Sequence, residues 1–145
     1  MTDNTPFPQA NDLGKILILI ENINYCNSTK LKKLMKLTQN RQLDYYKSAS
    51  VFLGFIKKND NGYRLTTNGS KVLRANDNYK NAVFIVELLK TPLIKSLVFN
   101  LKEEKIINLL NEFQSFNKLS SSTKTRRVST IKSWIKWLNK NIKKC

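Results

Sequence analysis

No histidine occurs in this 145-residue chain. That excludes a Ser-His-Asp triad and any histidine-based metal site. Cysteine is nearly absent as well: Cys26 lies in or beside an apolar helix and Cys145 is the last residue. Two such residues build no disulfide framework, so a reducing cytoplasm is the expected compartment. There are only four glycines, and none belongs to a phosphate-cradling Gly-rich motif. Acids are scarce, 10 Asp plus Glu against 26 Lys plus Arg. A nuclease gathers several acids around a divalent ion. Here Glu87, Glu103, Glu104 and Glu112 fall on helical stretches with no strand-borne Asp to join them. Catalysis is therefore not expected, nor is a metal or other cofactor. The opening Met1-Thr2-Asp3-Asn4-Thr5-Pro6-Phe7-Pro8 lacks the basic-then-apolar order of a signal peptide. No apolar run approaches the roughly 20 residues of a membrane span, so no membrane partner is expected.

What the chain does hold is cation. Its formal charge is +16, while 41% apolar residues are enough to bury a core. Abundant Lys, Asn and Ile also occur in proteins from AT-rich genomes. That bias does not explain why Gln114 to Cys145 contains nine Lys or Arg and not one Asp or Glu. A folded surface so charged calls for a polyanion, and DNA is the leading candidate.

Apolar spacing organises the first half. Residues 1–11 read as a flexible lead-in. Leu13, Ile16, Leu17, Ile20 and Ile23 recur at helical spacing behind Asp12, a plausible cap. Ser28 or Thr29 caps a short second helix that turns Leu31, Leu34 and Met35 inward and Lys30, Lys32, Lys33 and Lys36 outward. A third helix runs from about Arg41 to Leu53, with Tyr46, Ala49, Ser50 and Leu53 on one face. Its other face carries Arg41, Gln42, Asp44, Tyr45, Lys47 and Ser48. Gly54 stops it. Phe55 to Lys58 and Tyr63 to Leu65 are strand candidates around Asn61-Gly62, a strong hairpin signal. Another short helix begins at Thr66.

From residue 76 onward the plan repeats with a weaker signal. Asn76-Asp77-Asn78 caps a helix carrying Val83, Phe84, Val86, Leu88 and Leu89. Thr91-Pro92 breaks it, since proline cannot continue the hydrogen-bond ladder. Helices follow over Pro92–Leu101 and Lys102–Phe113, the latter with Ile106, Leu109, Leu110 and Phe113 inward. Ser120 to Thr123 is turn-like. A long basic helix, Thr123 to Ile142, then buries Val128, Ile131, Trp134, Ile135 and Leu138, while Trp137 is offset, either to stack on an unpaired base or, the favoured reading, to pack against the other half. The expected fold is mainly α with a small β-hairpin wing. It divides into a winged-helix domain, residues 12–75, and a second helix-turn-helix-like domain, residues 76–145.

The string Tyr63-Arg64-Leu65-Thr66-Thr67-Asn68-Gly69 resembles the ending found after the wing in many winged-helix domains. The run from Tyr45 to Ile56 resembles a recognition helix leading into the first wing strand. Ser122-Thr123, Arg126-Arg127, Thr130, Trp134 and Trp137 together resemble a pattern of winged-helix modules in bacterial restriction-modification and defence proteins. The resemblance implies a tandem winged helix-turn-helix that reads DNA, usually joined to a nuclease or ATPase domain. The 145 residues carry motifs of that module only, so nuclease activity is not expected of them.

The reading is thus a sequence-recognising protein for double-stranded DNA, a target-recognition module of a restriction or defence system or a regulator. The two basic helices would sit in major grooves of one duplex. Arg41, Gln42, Tyr45 and Lys47 are the first-half contact candidates, being long hydrogen-bonding groups that reach base edges or phosphates. Arg64, with Lys57 and Lys58, would touch the backbone from the wing. On the long helix the candidates are Ser122, Thr123, Lys124, Arg126, Arg127, Thr130 and Lys132, where arginine forks and free helix N–H groups suit phosphates. The rival reading is a small inhibitor or adaptor, for example phage-encoded, whose basic surface blocks a nucleic-acid enzyme. A nuclease or another protein subunit would then be the partner. RNA binding is disfavoured by the scarcity of strand-borne aromatics.

Overall fold

In the computed structural model the described residues are 10–98, 103–111 and 118–142. Several helices begin where a side-chain oxygen meets their free N–H groups. Asp12 caps α1 (Leu13–Asn22) through the N–H of Gly14 at 2.8 Å. α2 (Ser28–Leu34) is capped by Asn27, one residue earlier than expected, because its Oδ1 reaches the N–H of Lys30. α3 spans Asn40–Phe52. Its end is a Schellman turn, with the N–H of Phe55 donating to the Ser50 carbonyl and that of Gly54 to the Val51 carbonyl. That turn puts Gly54 at φ 85°, a conformation that favours glycine.

β1 (Ile56–Asn59) and β2 (Gly62–Leu65) form an antiparallel hairpin, with Lys57 opposite Arg64 and Lys58 opposite Tyr63. α4 (Thr67–Arg74) follows, capped by Thr66. α5 (Lys80–Leu89) starts later than the Asn-rich stretch suggests. Asn76 Oδ1 bonds the N–H of Asn78 in a local turn, and Tyr79 is the cap position. α6 (Pro92–Leu97) is shorter than expected: its ladder ends at Val98, whose backbone is already extended. α7 is Glu103–Leu110 and α8 is Ser121–Ile142. The expected extensions to Leu101 and Phe113 lie outside the described residues. The molecule is therefore mainly helical with one two-stranded hairpin among those residues. None of its described helices is long and apolar enough to cross a membrane.

Packing joins the two halves of the chain. α1 lies against α2, α3 and α4, while α8 lies against α5 and α7. Buried side chains from α1, α3, α5 and α8 belong to one cluster. Trp134 is fully buried in it, with its indole N–H donating to the carbonyl of Ala10 and its ring 6.3 Å from that of Phe52. Trp137 meets the ring of Phe84 edge-on at 5.6 Å and lies beside Gly14 of α1.

Several side chains depart from the expected pattern. Leu34, expected inside, is 41% exposed at the end of α2. Val86 faces solvent, and its neighbour Glu87 is buried. The Glu87 carboxylate takes a hydrogen bond from Lys90 at 2.9 Å and lies 3.9 Å from the Lys71 ammonium, tying α5 to α4.

Tyr46 is buried as its spacing suggests, and its hydroxyl accepts from the Asp12 N–H at 3.2 Å. Burial pushes its phenol above the usual range, the Asp12 N–H pulls it back, and the Asp12 charge adds to the rise. A folded pKa above the unfolded one gives stability that is complete below the unfolded value. That stability is lost as pH climbs through the folded one. Tyr46→Phe should therefore cost about 0.5–1.5 kcal/mol at neutral pH and lose less than the parent on going alkaline. Chemical denaturation at neutral and alkaline pH checks both; parallel losses would show that Tyr46 does not titrate with unfolding.

Candidate nucleic-acid interface

The start of α3 carries the first group of expected contacts. Arg41 and Tyr45 are one turn apart and interact: the Arg41 Nε–H donates to the Tyr45 hydroxyl, and the guanidinium lies 5.4 Å from the ring centre. Tyr45 is half-buried, so the pair presents a fixed cationic edge rather than two loose side chains. Gln42 plays a different part from the one expected. Its Oε1 accepts from the backbone N–H groups of Thr38 and Gln39 at 3.0 and 3.2 Å, so that oxygen serves the helix start. Lys47 is two residues past Tyr45, about 200° further round the helix. It points elsewhere: its ammonium sits 5.1 Å from the ring centre of Tyr63, with Lys58 at 5.8 Å. Arg64 is exposed on β2 opposite Lys57.

The start of α8 carries the second group. Ser120 Oγ accepts from the Thr123 N–H at 3.3 Å and lies 3.3 Å from Ser122 Oγ. Thr123 Oγ1 in turn accepts from Ser120 Oγ at 2.9 Å and from the Arg126 guanidinium at 3.1 Å. Arg126 is exposed. Thr130 is only 1% exposed, and its hydroxyl is spent inside, 2.8 Å from Asn11 Oδ1 and 3.1 Å from the Arg126 carbonyl. It lines the site from within and offers no projecting contact. Lys124 and Lys132 are half-buried and lie about 160° and 120° round α8 from Arg126, away from that flank.

Arg127 is the larger departure. Positions 127, 131, 134 and 138 share one helical stripe, and Ile131, Trp134 and Leu138 on it are core. Arg127 therefore turns inward. Its Nε and Nη1 are buried and have no hydrogen-bond partner. Burial lowers its pKa from the usual arginine range. The Arg126 charge lowers it further, and Tyr45 opposes both.

These elements converge. A cleft of about 300 Å³ between α3 and α8 is lined by Asn11, Gln42, Tyr45, Arg126, Ser129 and Thr130. Among the described residues that line it, every side chain bears hydrogen-bonding groups and none is acidic. The ion pairs formed by described residues centre on Asp77 and Glu87, away from this cleft. The fold thus brings Gln42, Tyr45, Arg126 and Thr130 together, with Arg41 and Arg127 beside them. It leaves Lys47 and Arg64 with the hairpin. Asn11 and Ser129 were not expected to take part. Ser129 lies one turn from Arg126, so helical spacing can find it. Asn11 precedes the first helix and gives no local signal.

The geometry describes a basic, mainly helical module with a polar cleft on its cationic side. The chain belongs to the family described as a domain of unknown function (DUF7226), which matches residues 15–143. No curated protein and no solved structure matches it.

Proposed function

We propose that this protein binds double-stranded DNA through the face formed by the start of α3 and the start of α8. The observation that carries the reading is the shared cleft, with no acid among its described lining residues, where Tyr45 and Arg126 from the two basic helices line one space. The order helix, helix, helix, hairpin over residues 13–65 supports a winged-helix arrangement for the first half. In that arrangement α3 enters a major groove and the hairpin, with Lys57 and Arg64, follows the backbone. In this reading α8 does not enter a second groove, since successive major grooves are about 34 Å apart and its start lines the same cleft as α3. It flanks the first groove instead, with Arg126 toward the phosphates. A place in a restriction or defence system rests on the resemblance of the sequence motifs alone.

Replacing Arg41 and Arg126 together by alanine should weaken duplex binding about 10- to 100-fold and flatten the salt dependence by about two counterions. Replacing the exposed Lys95 and Lys105 removes equal charge from α6 and α7 and should cost less than about threefold. Fluorescence anisotropy across a salt series measures both. Equal losses would assign binding to net charge and not to this face. If duplex DNA is not retained at low salt while a protein co-purifies, the inhibitor reading replaces this one. Selection from a random duplex pool tests whether the binding reads sequence.

A further inference from the structure

The cleft between α3 and α8 contains an unbalanced charge. Arg126 lines it beside Tyr45, Arg127 is the adjacent cation and lies near Tyr45, and no acid is among the described lining residues. Arg41 adds a third cation through its bond to the Tyr45 hydroxyl. Two nitrogens of Arg127 are buried without a partner. A charged donor in that state is costly to the fold, because it has given up water and gained nothing in return. Proteins normally resolve such a debt with a carboxylate, and among the described residues none pairs with Arg127. The surrounding groups are neutral hydrogen-bonding ones, the Ser129 hydroxyl and the Asn11 and Gln42 amides, beside the fully buried Thr130. Neutral hydrogen-bonding groups around a clustered positive charge suit a compact tetrahedral oxyanion, and arginine matches a phosphate better than lysine does.

We propose that this cleft is a discrete site for one phosphate group, held by Arg126 and Arg127 with Tyr45 and Ser129 at its rim. The inference rests on the DNA reading only for the source of the phosphate, a backbone phosphate of the duplex. A free mononucleotide offers the same chemistry. Arg127 then has a role distinct from that of surface cations. It destabilises the empty protein and is satisfied only when the phosphate arrives, so part of the binding free energy relieves strain already present in the fold.

The test is thermal unfolding of the full chain in inorganic phosphate against chloride at equal ionic strength. At about ten times its dissociation constant, phosphate should raise the midpoint by about 5 °C. Arg127→Met should raise the midpoint in chloride and abolish the phosphate response. Arg126→Gln, at an exposed position that does not endanger folding, should reduce that response while leaving the chloride midpoint within about 1 °C. A parent protein that responds no more than Arg127→Met overturns the proposal, as does an Arg127→Met variant that melts several degrees lower in chloride. Duplex DNA and a mononucleotide form the other two arms. Duplex retained without a phosphate response sinks this site and leaves the DNA reading standing. A response to phosphate and mononucleotide without duplex retention upholds the site and removes the DNA reading.

Discussion

Replacing Trp134 by alanine is expected to lower stability by about 3–5 kcal/mol, the cost of emptying a fully buried indole site. Three losses coincide. The apolar area goes, the ring contact with Phe52 goes, and the Ala10 carbonyl loses its donor. Trp134→Phe separates them, since it keeps most of the volume and removes the N–H; it should cost about 1–2 kcal/mol. Urea denaturation monitored by far-ultraviolet circular dichroism gives both values. A midpoint unchanged in Trp134→Ala would mean that α8 does not close the core. The effect is large because Trp134 ties the last described helix to residues before the first one.

Gly69→Ala should be comparably severe for a different reason. A Cβ at position 69 would stand 2.1 Å from the carbonyl oxygen of Phe55, which also accepts the Thr66 N–H at 2.9 Å. That neighbour is backbone and cannot rotate away, so α4 must lift off the hairpin. The expected cost is about 3 kcal/mol, the upper end for overpacking. The propensity gain of alanine over glycine, about 1 kcal/mol, is too small to offset it. Gly62, at φ 118° with open space around it, provides the contrast: Gly62→Ala strains the turn but meets no neighbour, so its cost should be smaller. Thermal melts of the two variants rank them, and the reverse order would refute the close-approach account.

Much of this fold was legible because burial follows helical spacing. Ile16, Ile20, Tyr46, Ala49, Ile131 and Leu138 are inside as their periodicity requires. The hairpin was legible from Asn61-Gly62, and Gly69 stood out through the motif that ends on it; the Phe55 carbonyl supplies the reason glycine is there. Helix starts were less legible. Asn27 and Tyr79 take the cap positions where neighbouring polar residues looked equally able, and the choice depends on local backbone geometry. The candidate site was half legible. Residue type put Arg127 outside among the expected contacts, whereas its stripe with Ile131, Trp134 and Leu138 turns it inward. Thr130 and Gln42 look like surface contacts by type. Their oxygens are taken up by Asn11 and by the α3 start, through contacts no local pattern announces.

Ala10 and Asn11 receive their hydrogen bonds from Trp134 and Thr130, 124 and 119 positions further on. A ribosome delivers those donors long after the residues that accept from them. Until they emerge, the core side chains of α1 and α3 lack the cover that α8 gives them, and cooperative folding must await α8. At an elongation rate of about 5–20 residues per second, the stretch from the end of α3 at Phe52 to Trp134 takes roughly 4–16 seconds. Over that time a molecular chaperone would be the natural custodian of the exposed surface.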